Sequence, residues 1–151
     1  MGEIRCGTAR VDEALARRLA ALDREAFPAR LGYDAEEYLR RGRAEGAWLA
    51  LAEDEGRLVG LCLAARDLEE PRALFLDVLA TLPGWRRRGV AARLVEMCVA
   101  HARREGHRMV RLTCEPRTEE GVDLVEVYRR LGFRVAAVEP DHVVMALDLT
   151  P

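Results

Sequence analysis

The sequence predicts a mixed α/β (α+β) protein, with a central mixed sheet of about six to seven strands flanked by about four helices. Two observations carry this. Stretches with apolar residues three and four apart alternate with short runs rich in Leu, Val and Phe. Hairpin-like strand pairs stand toward both ends of the chain, and strand-helix-strand units lie between them, so parallel and antiparallel pairing must share one sheet. At 151 residues the chain is read as a single domain over 1–151, long enough for a core that needs no disulfide or metal.

A short first strand is expected at Glu3 to Thr8. The first helix runs from about Val11 to Ala26: Leu15, Leu19, Leu22 and Ala26 recur at helical spacing, and Asp12 and Glu13 suit its start. Phe27-Pro28 ends it. After a loop through Gly32, a shorter helix from about Asp34 to Arg43 closes near Gly46. Ala47 to Ala52 and Arg57 to Leu63 form a hairpin around Glu53-Asp54-Glu55-Gly56. Ala73 to Thr81 is a third strand of that run. Beyond Pro83-Gly84 a helix extends from Gly89 to about Glu105, with Val90, Leu94, Met97 and His101 on one side. Arg108 to Cys114 is a strand, and a helix from about Val122 to Arg130 stops at Leu131-Gly132. Phe133 to Val138 and His142 to Leu149 complete the sheet.

Composition excludes several classes. A formal net charge of -2 gives no bulk positive field for nucleic acid, so the cluster Arg86-Arg87-Arg88 needs a local explanation. No apolar stretch approaches the eighteen or so residues of a membrane span, and no leader pattern is visible, so a cytoplasmic location is the expectation. Cys6, Cys62, Cys98 and Cys114 are widely spaced, and His101, His107 and His142 do not join them at ligand spacing. Reduced thiols and no metal are expected. The chain contains no lysine, serine, asparagine or glutamine. GC-rich coding and selection against labile amides both produce this bias. Either way, a serine nucleophile, a Schiff-base lysine and a lysine phosphate loop are excluded.

The most informative segment is Leu79 to Ala91, a strand, a proline turn, three arginines and a helix opening on small residues. The first turn of a helix leaves about four N–H groups without partners, and its dipole adds positive character. Gly89 and Ala91 present little bulk, and the arginines add bidentate donors, which is the chemistry of a pyrophosphate site. An arginine-rich junction in an arginine-rich chain is the other reading of these residues. The segment resembles motif A of the GNAT acyltransferases, with Pro83, Arg86, Gly89 and Ala91 at the motif positions and Trp85 where an aromatic is common. The element order around it is also similar to that family over most of the chain, which implies the GNAT-like sheet and acetyl-CoA as cosubstrate. The resemblance further implies that the amides of Arg87, Arg88, Gly89, Val90, Ala91 and Ala92 wrap the pyrophosphate beside Arg86. Leu79, Ala80 and Thr81 would pair with the pantetheine arm as with an added strand, which requires the neighbouring strand to splay away.

Val127-Tyr128-Arg129-Arg130-Leu131-Gly132-Phe133 resembles the family's second signature, in which the tyrosine protonates the departing thiolate. Phenol and thiol titrate near 10 and 8.5 in model compounds, so a neutral phenol can supply that proton. Tyr128 also shares a helical face with Leu124 and Leu131, as a core aromatic would. An alkyl amine arrives protonated and needs a base. Asp77, a charge inside the apolar run Ala73 to Leu79, is the first choice, with Glu115 second; a plain ion pair to an arginine would also account for Asp77. Gly121 stands where many relatives carry an asparagine that touches the cofactor arm, and the loop Glu115 to Glu120 is longer than usual. Phe27, Arg30, Tyr33, Glu139 and Asp141 lie where the family shapes its acceptor side. The function expected is acetyl transfer to a small-molecule or peptide amine, with the tetrahedral intermediate held by an amide of the strand before the motif. The alternative is a non-catalytic acyl-CoA-binding regulatory domain. No nucleic acid or membrane partner is expected, and a homodimer is left open.

Overall fold

A computed structural model describes residues 2–28, 32–118 and 121–149. In chain order the elements are β1 (Ile4–Thr8), α1 (Glu13–Ala26), α2 (Ala35–Gly42), β2 (Trp48–Asp54), β3 (Arg57–Arg66), β4 (Ala73–Thr81), a 3-10 turn (Pro83–Trp85), α3 (Val90–Arg104), β5 (Met109–Cys114), α4 (Leu124–Arg130), β6 (Arg134–Val138) and β7 (Val143–Asp148). The helix starts follow their caps. Asp12, Asp34 and Asp123 each accept a backbone N–H three residues on, so the helices begin one residue past each aspartate. The β2–β3 hairpin is tighter and longer than the sequence suggests. Only Glu55 and Gly56 turn the chain, both at positive φ, the pattern of a two-residue hairpin turn.

One seven-stranded sheet runs β1-β2-β3-β4-β5-β7-β6. All neighbours are antiparallel except β4 and β5, which are parallel because α3 crosses over between them. Leu58 through Ala64 of β3 are all buried, so both faces of the sheet are covered there. Helix α1 packs on β3 and β4 with α2 against it, and α3 packs on β2, β3 and β4. The buried face of α3 is Val90, Leu94, Val95, Cys98 and Ala102. This face is rotated from the expected one: Met97 is only partly buried, and His101 stacks on the Trp48 ring with centroids 5.2 Å apart. Toward the carboxyl-terminal end, Leu112, Val143 and Met145 join the same core with Phe133. The four cysteines are free thiols.

Candidate active site

The site is built around an irregularity in β4. Leu63 pairs with Val78 and Ala64 with Leu76, so Asp77 is an extra residue opposite no partner, a β-bulge. A bulge bends and twists its strand, and the effect is immediate. β4 pairs with β5 only at Ala73, Leu74 and Phe75, while β5 continues alongside β7 as far as Cys114. From Leu76 to Thr81, β3 is therefore the one strand paired with β4 among the described residues, and the other edge of β4 faces the gap left by β5. This is the splay that pairing of a pantetheine arm to Leu79, Ala80 and Thr81 requires. The Thr81 hydroxyl is buried without a hydrogen-bond partner among the described residues.

The open strand leads into the turn before α3. Trp85 Nε1 donates to Asp54 Oδ2 at 2.6 Å, with the Arg57 guanidinium over the indole, so the turn is pinned to the β2–β3 hairpin. The indole bond, then the Gly2 amide, holds the Asp54 carboxyl below the usual range. Arg86 donates to the Thr81 carbonyl at 3.2 Å and to the Ala26 carbonyl at 2.9 Å, so its guanidinium ties β4 to the end of α1. Arg87 adopts φ 63, and Gly89, the N-cap of α3, adopts φ 77. Among the described residues no side chain caps this helix, and its first ladder bond runs from Arg93 N to Gly89 O. A Cβ on Gly89 would meet nothing within 4 Å, so the glycine serves its left-handed backbone and leaves the turn open. Exposed Arg87 and Arg88 flank the uncapped amides of Val90, Ala91 and Ala92. This donor set fits a pyrophosphate.

Asp77 joins a polar cluster on the α1–α2 side. Its side chain is only 7% exposed, and both oxygens are bonded: Oδ1 accepts from Tyr33 Oη at 2.9 Å and Oδ2 from Arg41 Nη1 at 3.0 Å. Arg41 also donates from Nε to Glu37 at 2.6 Å and lies over the Tyr33 ring, 4.2 Å from its centroid. The Tyr33 amide donates to Asp23 Oδ2, which also accepts from the buried Tyr38 hydroxyl at 2.6 Å. Desolvation, then the charge and hydrogen bond of Asp77, push the Tyr33 phenol up to about 12. Burial, then the bond to Asp23, drives Tyr38 upward too. The sequence singled out Asp77 and Tyr33 but not Arg41, Glu37, Asp23 or Tyr38; the only local hint was the i,i+4 spacing of Glu37 and Arg41.

Tyr128 lies on α4, half-buried, with its ring edge-on to Phe133 at 5.8 Å. Cys114, at the free end of β5, has its thiol pushed up by burial and by the charges of Asp123 and Glu115. Glu115 follows it and is exposed. Gly121 sits at φ 85, and its amide donates to the Thr118 carbonyl at 2.9 Å. Of the acceptor-side residues, Phe27 is half-buried, Glu139 and Asp141 are exposed in the β6–β7 turn, and Arg30 lies outside the described residues. A concavity of about 590 Å³ opens over β5, β7 and β6, lined by Arg111, Arg134, Glu139, His142, Val144 and Ala146. Another of about 690 Å³ lies along β1, beside Cys6, Thr8 and Leu51. Neither includes the α3 turn. Among the described residues no group of His, Cys, Asp or Glu could hold a metal ion, and no helix is long and apolar enough to cross a membrane.

The fold is shared with solved N-acetyltransferases, some of them with coenzyme A bound. An aminoglycoside 6'-N-acetyltransferase from Enterococcus faecium superposes with a TM-score of 0.81 at 18% identity, covering 97% of this chain and 98% of that one. The PaiA N-acetyltransferase from Thermoplasma acidophilum, solved with coenzyme A, gives 0.78 at 13% identity over 95% and 99%. The ribosomal-protein-S18-alanine N-acetyltransferase from Escherichia coli gives 0.77 at 14% identity over 97% and 96%. No curated protein matches the chain in sequence. The model of the acetyltransferase (GNAT) family matches residues 13–133, well over half the chain. The chain belongs to the GNAT family and is an acyltransferase.

Proposed function

We propose that this chain is a single-domain N-acetyltransferase that moves an acetyl group from acetyl-CoA to a primary amine by direct attack. The observation that carries the reading is the parting of β4 from β5 at the Asp77 bulge, with the freed strand edge running into the uncapped start of α3. Arg87, Arg88 and the amides of Gly89 to Ala92 hold the pyrophosphate. The edge of Leu79, Ala80 and Thr81 lines up the pantetheine arm, and Arg86 fixes the strand end that carries them. Bound acetyl-CoA supplies the activated acetyl group and the thiolate leaving group. Tyr128 gives that thiolate its proton, and a carboxylate takes the proton of the incoming ammonium.

Asp77 is the first choice for the carboxylate because it stands at the bulge where the strands part. Its engaged oxygens favour keeping Glu115, exposed at the end of β5, as second choice. The structural relatives act, by their names, on aminoglycosides and on a protein's alanine amino group. The acceptor screen therefore starts with an aminoglycoside, a polyamine and a peptide with amino-terminal alanine. The test is calorimetric titration with acetyl-CoA, then this screen with wild type, Tyr128→Phe, Asp77→Asn and Glu115→Gln. We expect micromolar cosubstrate binding in all four, with turnover falling roughly 100-fold or more in Tyr128→Phe and in the variant lacking the base. Binding with no transfer to any amine would select the non-catalytic acyl-CoA-binding reading, and no binding would remove both.

A further inference from the structure

Asp77 poses a chemical problem: a base must be reached by the proton it removes, yet this carboxylate is almost wholly covered. Two donors hold it, one from α2 and one from the α1–α2 connection. Arg41 has no proton to relay, because a guanidinium stays charged and accepts none. A phenol differs, since its oxygen can accept a hydrogen bond while its own O–H donates. Tyr33 is half-buried where Asp77 is nearly closed, and its hydroxyl already donates to Oδ1.

We propose that Tyr33 relays the proton of the acceptor ammonium to Asp77, which makes it a further catalytic residue of this site. The inference rests on the reading of the chain as an N-acetyltransferase with Asp77 as base. In the step, an N–H bond of the ammonium breaks and its proton goes to Tyr33 Oη. As that proton arrives, the Tyr33 O–H bond breaks and its own proton goes to Asp77 Oδ1, so the phenol stays neutral throughout. The nitrogen lone pair so released attacks the thioester carbonyl, the C–S bond breaks, and the thiolate takes a proton from Tyr128; the acylated nitrogen then loses its second proton, which returns Tyr128 to the neutral phenol through solvent. Asp77 returns its proton through Tyr33 to solvent after the product leaves.

The surroundings suit a relay. Facing Tyr33 are Asp77 from β4, Arg41 and Glu37 from α2, and Asp23 from α1, with Tyr38 edge-on to its ring at 5.6 Å. Arg41 and Tyr38 hold the ring on its face and edge, and Asp23 holds the Tyr33 amide, so the phenol is positioned by more than its hydroxyl bond. The phenol remains protonated to about 12, so it carries a proton to pass at any working pH.

Tyr33→Phe keeps the ring and its contacts and removes the relay. The probe is whichever aminoglycoside, polyamine or alanine peptide turns over fastest, with kcat/KM for that amine measured from about pH 7 to about pH 10, near the pKa of an alkyl ammonium. We expect a loss of roughly 100-fold at neutral pH, shrinking to a few-fold near pH 10, where about half of the amine arrives already deprotonated. Asp77→Asn should show the same convergence, and acetyl-CoA affinity should not move in either. A deficit in Tyr33→Phe that is constant across pH would mark a packing role and overturn the relay. Convergence in Asp77→Asn but not in Tyr33→Phe would overturn the relay and leave Asp77 as base. If neither variant lost turnover while Tyr128→Phe did, the base assignment would fall and the relay with it.

Discussion

Gly89 is the position where the cosubstrate reading can be tested against the backbone itself. Its φ of 77 lies in the left-handed region, and a Cβ there would meet nothing within 4 Å. Any substitution should therefore carry the same penalty of about 1–2 kcal/mol for the backbone conformation, with no clash added. At roughly 2–4 °C per kcal/mol for a chain of this size, the melting temperature falls by about 2–8 °C in every variant. Affinity should separate the variants by charge. A carboxylate placed about 5 Å from one phosphate charge costs about 3 kcal/mol at an effective dielectric near 20, or roughly 150-fold in Kd. Gly89→Ala, Gly89→Glu and Gly89→Arg should thus melt alike. In calorimetry with acetyl-CoA, Ala should lose a few-fold, Glu about 150-fold and Arg little or nothing. Because the three share one backbone strain, the Glu–Arg difference isolates the electrostatic contact. Equal affinities for Glu and Arg would refute the placement of the pyrophosphate at the start of α3.

Two further outcomes follow from the cluster beside Asp77. Tyr38→Phe removes the hydroxyl that Asp23, 1% exposed, accepts at 2.6 Å, leaving that carboxylate one backbone amide at 3.3 Å among the described residues. A cost of about 2–3 kcal/mol is expected, read as a drop in denaturant midpoint with unchanged slope. The second concerns alkaline pH. The Tyr33 pKa is raised from 10 to about 12 in the folded chain, so its contribution is fully present below pH 10 and is lost as pH rises toward 12. Two pKa units set a ceiling of about 2.7 kcal/mol, and solvent screening at this half-buried position brings it to about 1 kcal/mol. Chemical denaturation between pH 8 and pH 12 should show a smaller decline in Tyr33→Phe than in wild type, and parallel declines would count against the shift.

The fold was legible because helix caps, turn residues and apolar spacing are local. The faces were less so. On α3 both Val90-Leu94-Met97-His101 and Val90-Leu94-Cys98-Ala102 satisfy three- and four-residue spacing, and only packing on β2, β3 and β4 selects the second. Asp77 stood out because a carboxylate inside an apolar run is costly unless something holds it. What holds it was not readable, since Tyr33 and Arg41 lie 44 and 36 residues away in the chain. Arg86 shows the same limit. Its place in the motif says nothing of the Ala26 carbonyl sixty residues back, which takes one arm of its guanidinium. The parting of β4 and β5 leaves no trace in residue type, because Leu79 and Leu112 would be apolar whether or not their strands stayed paired.

The bulge joins these two halves of the site in a single event. An extra residue at 77 bends β4 away from β5 just past Phe75, and this exposes the edge that runs to the α3 turn. The same extra residue has no cross-strand partner on β3, and its side chain reaches Tyr33 and Arg41 on the α2 side. A regular strand could not do both: restoring the pairing of Ala64 and Leu63 with consecutive residues would close the edge and flip every side chain beyond it to the opposite face. The open slot and the position of the acid are therefore not independent features that happen to be neighbours. They are two consequences of one inserted residue, which is why the carboxylate stands where the strands separate.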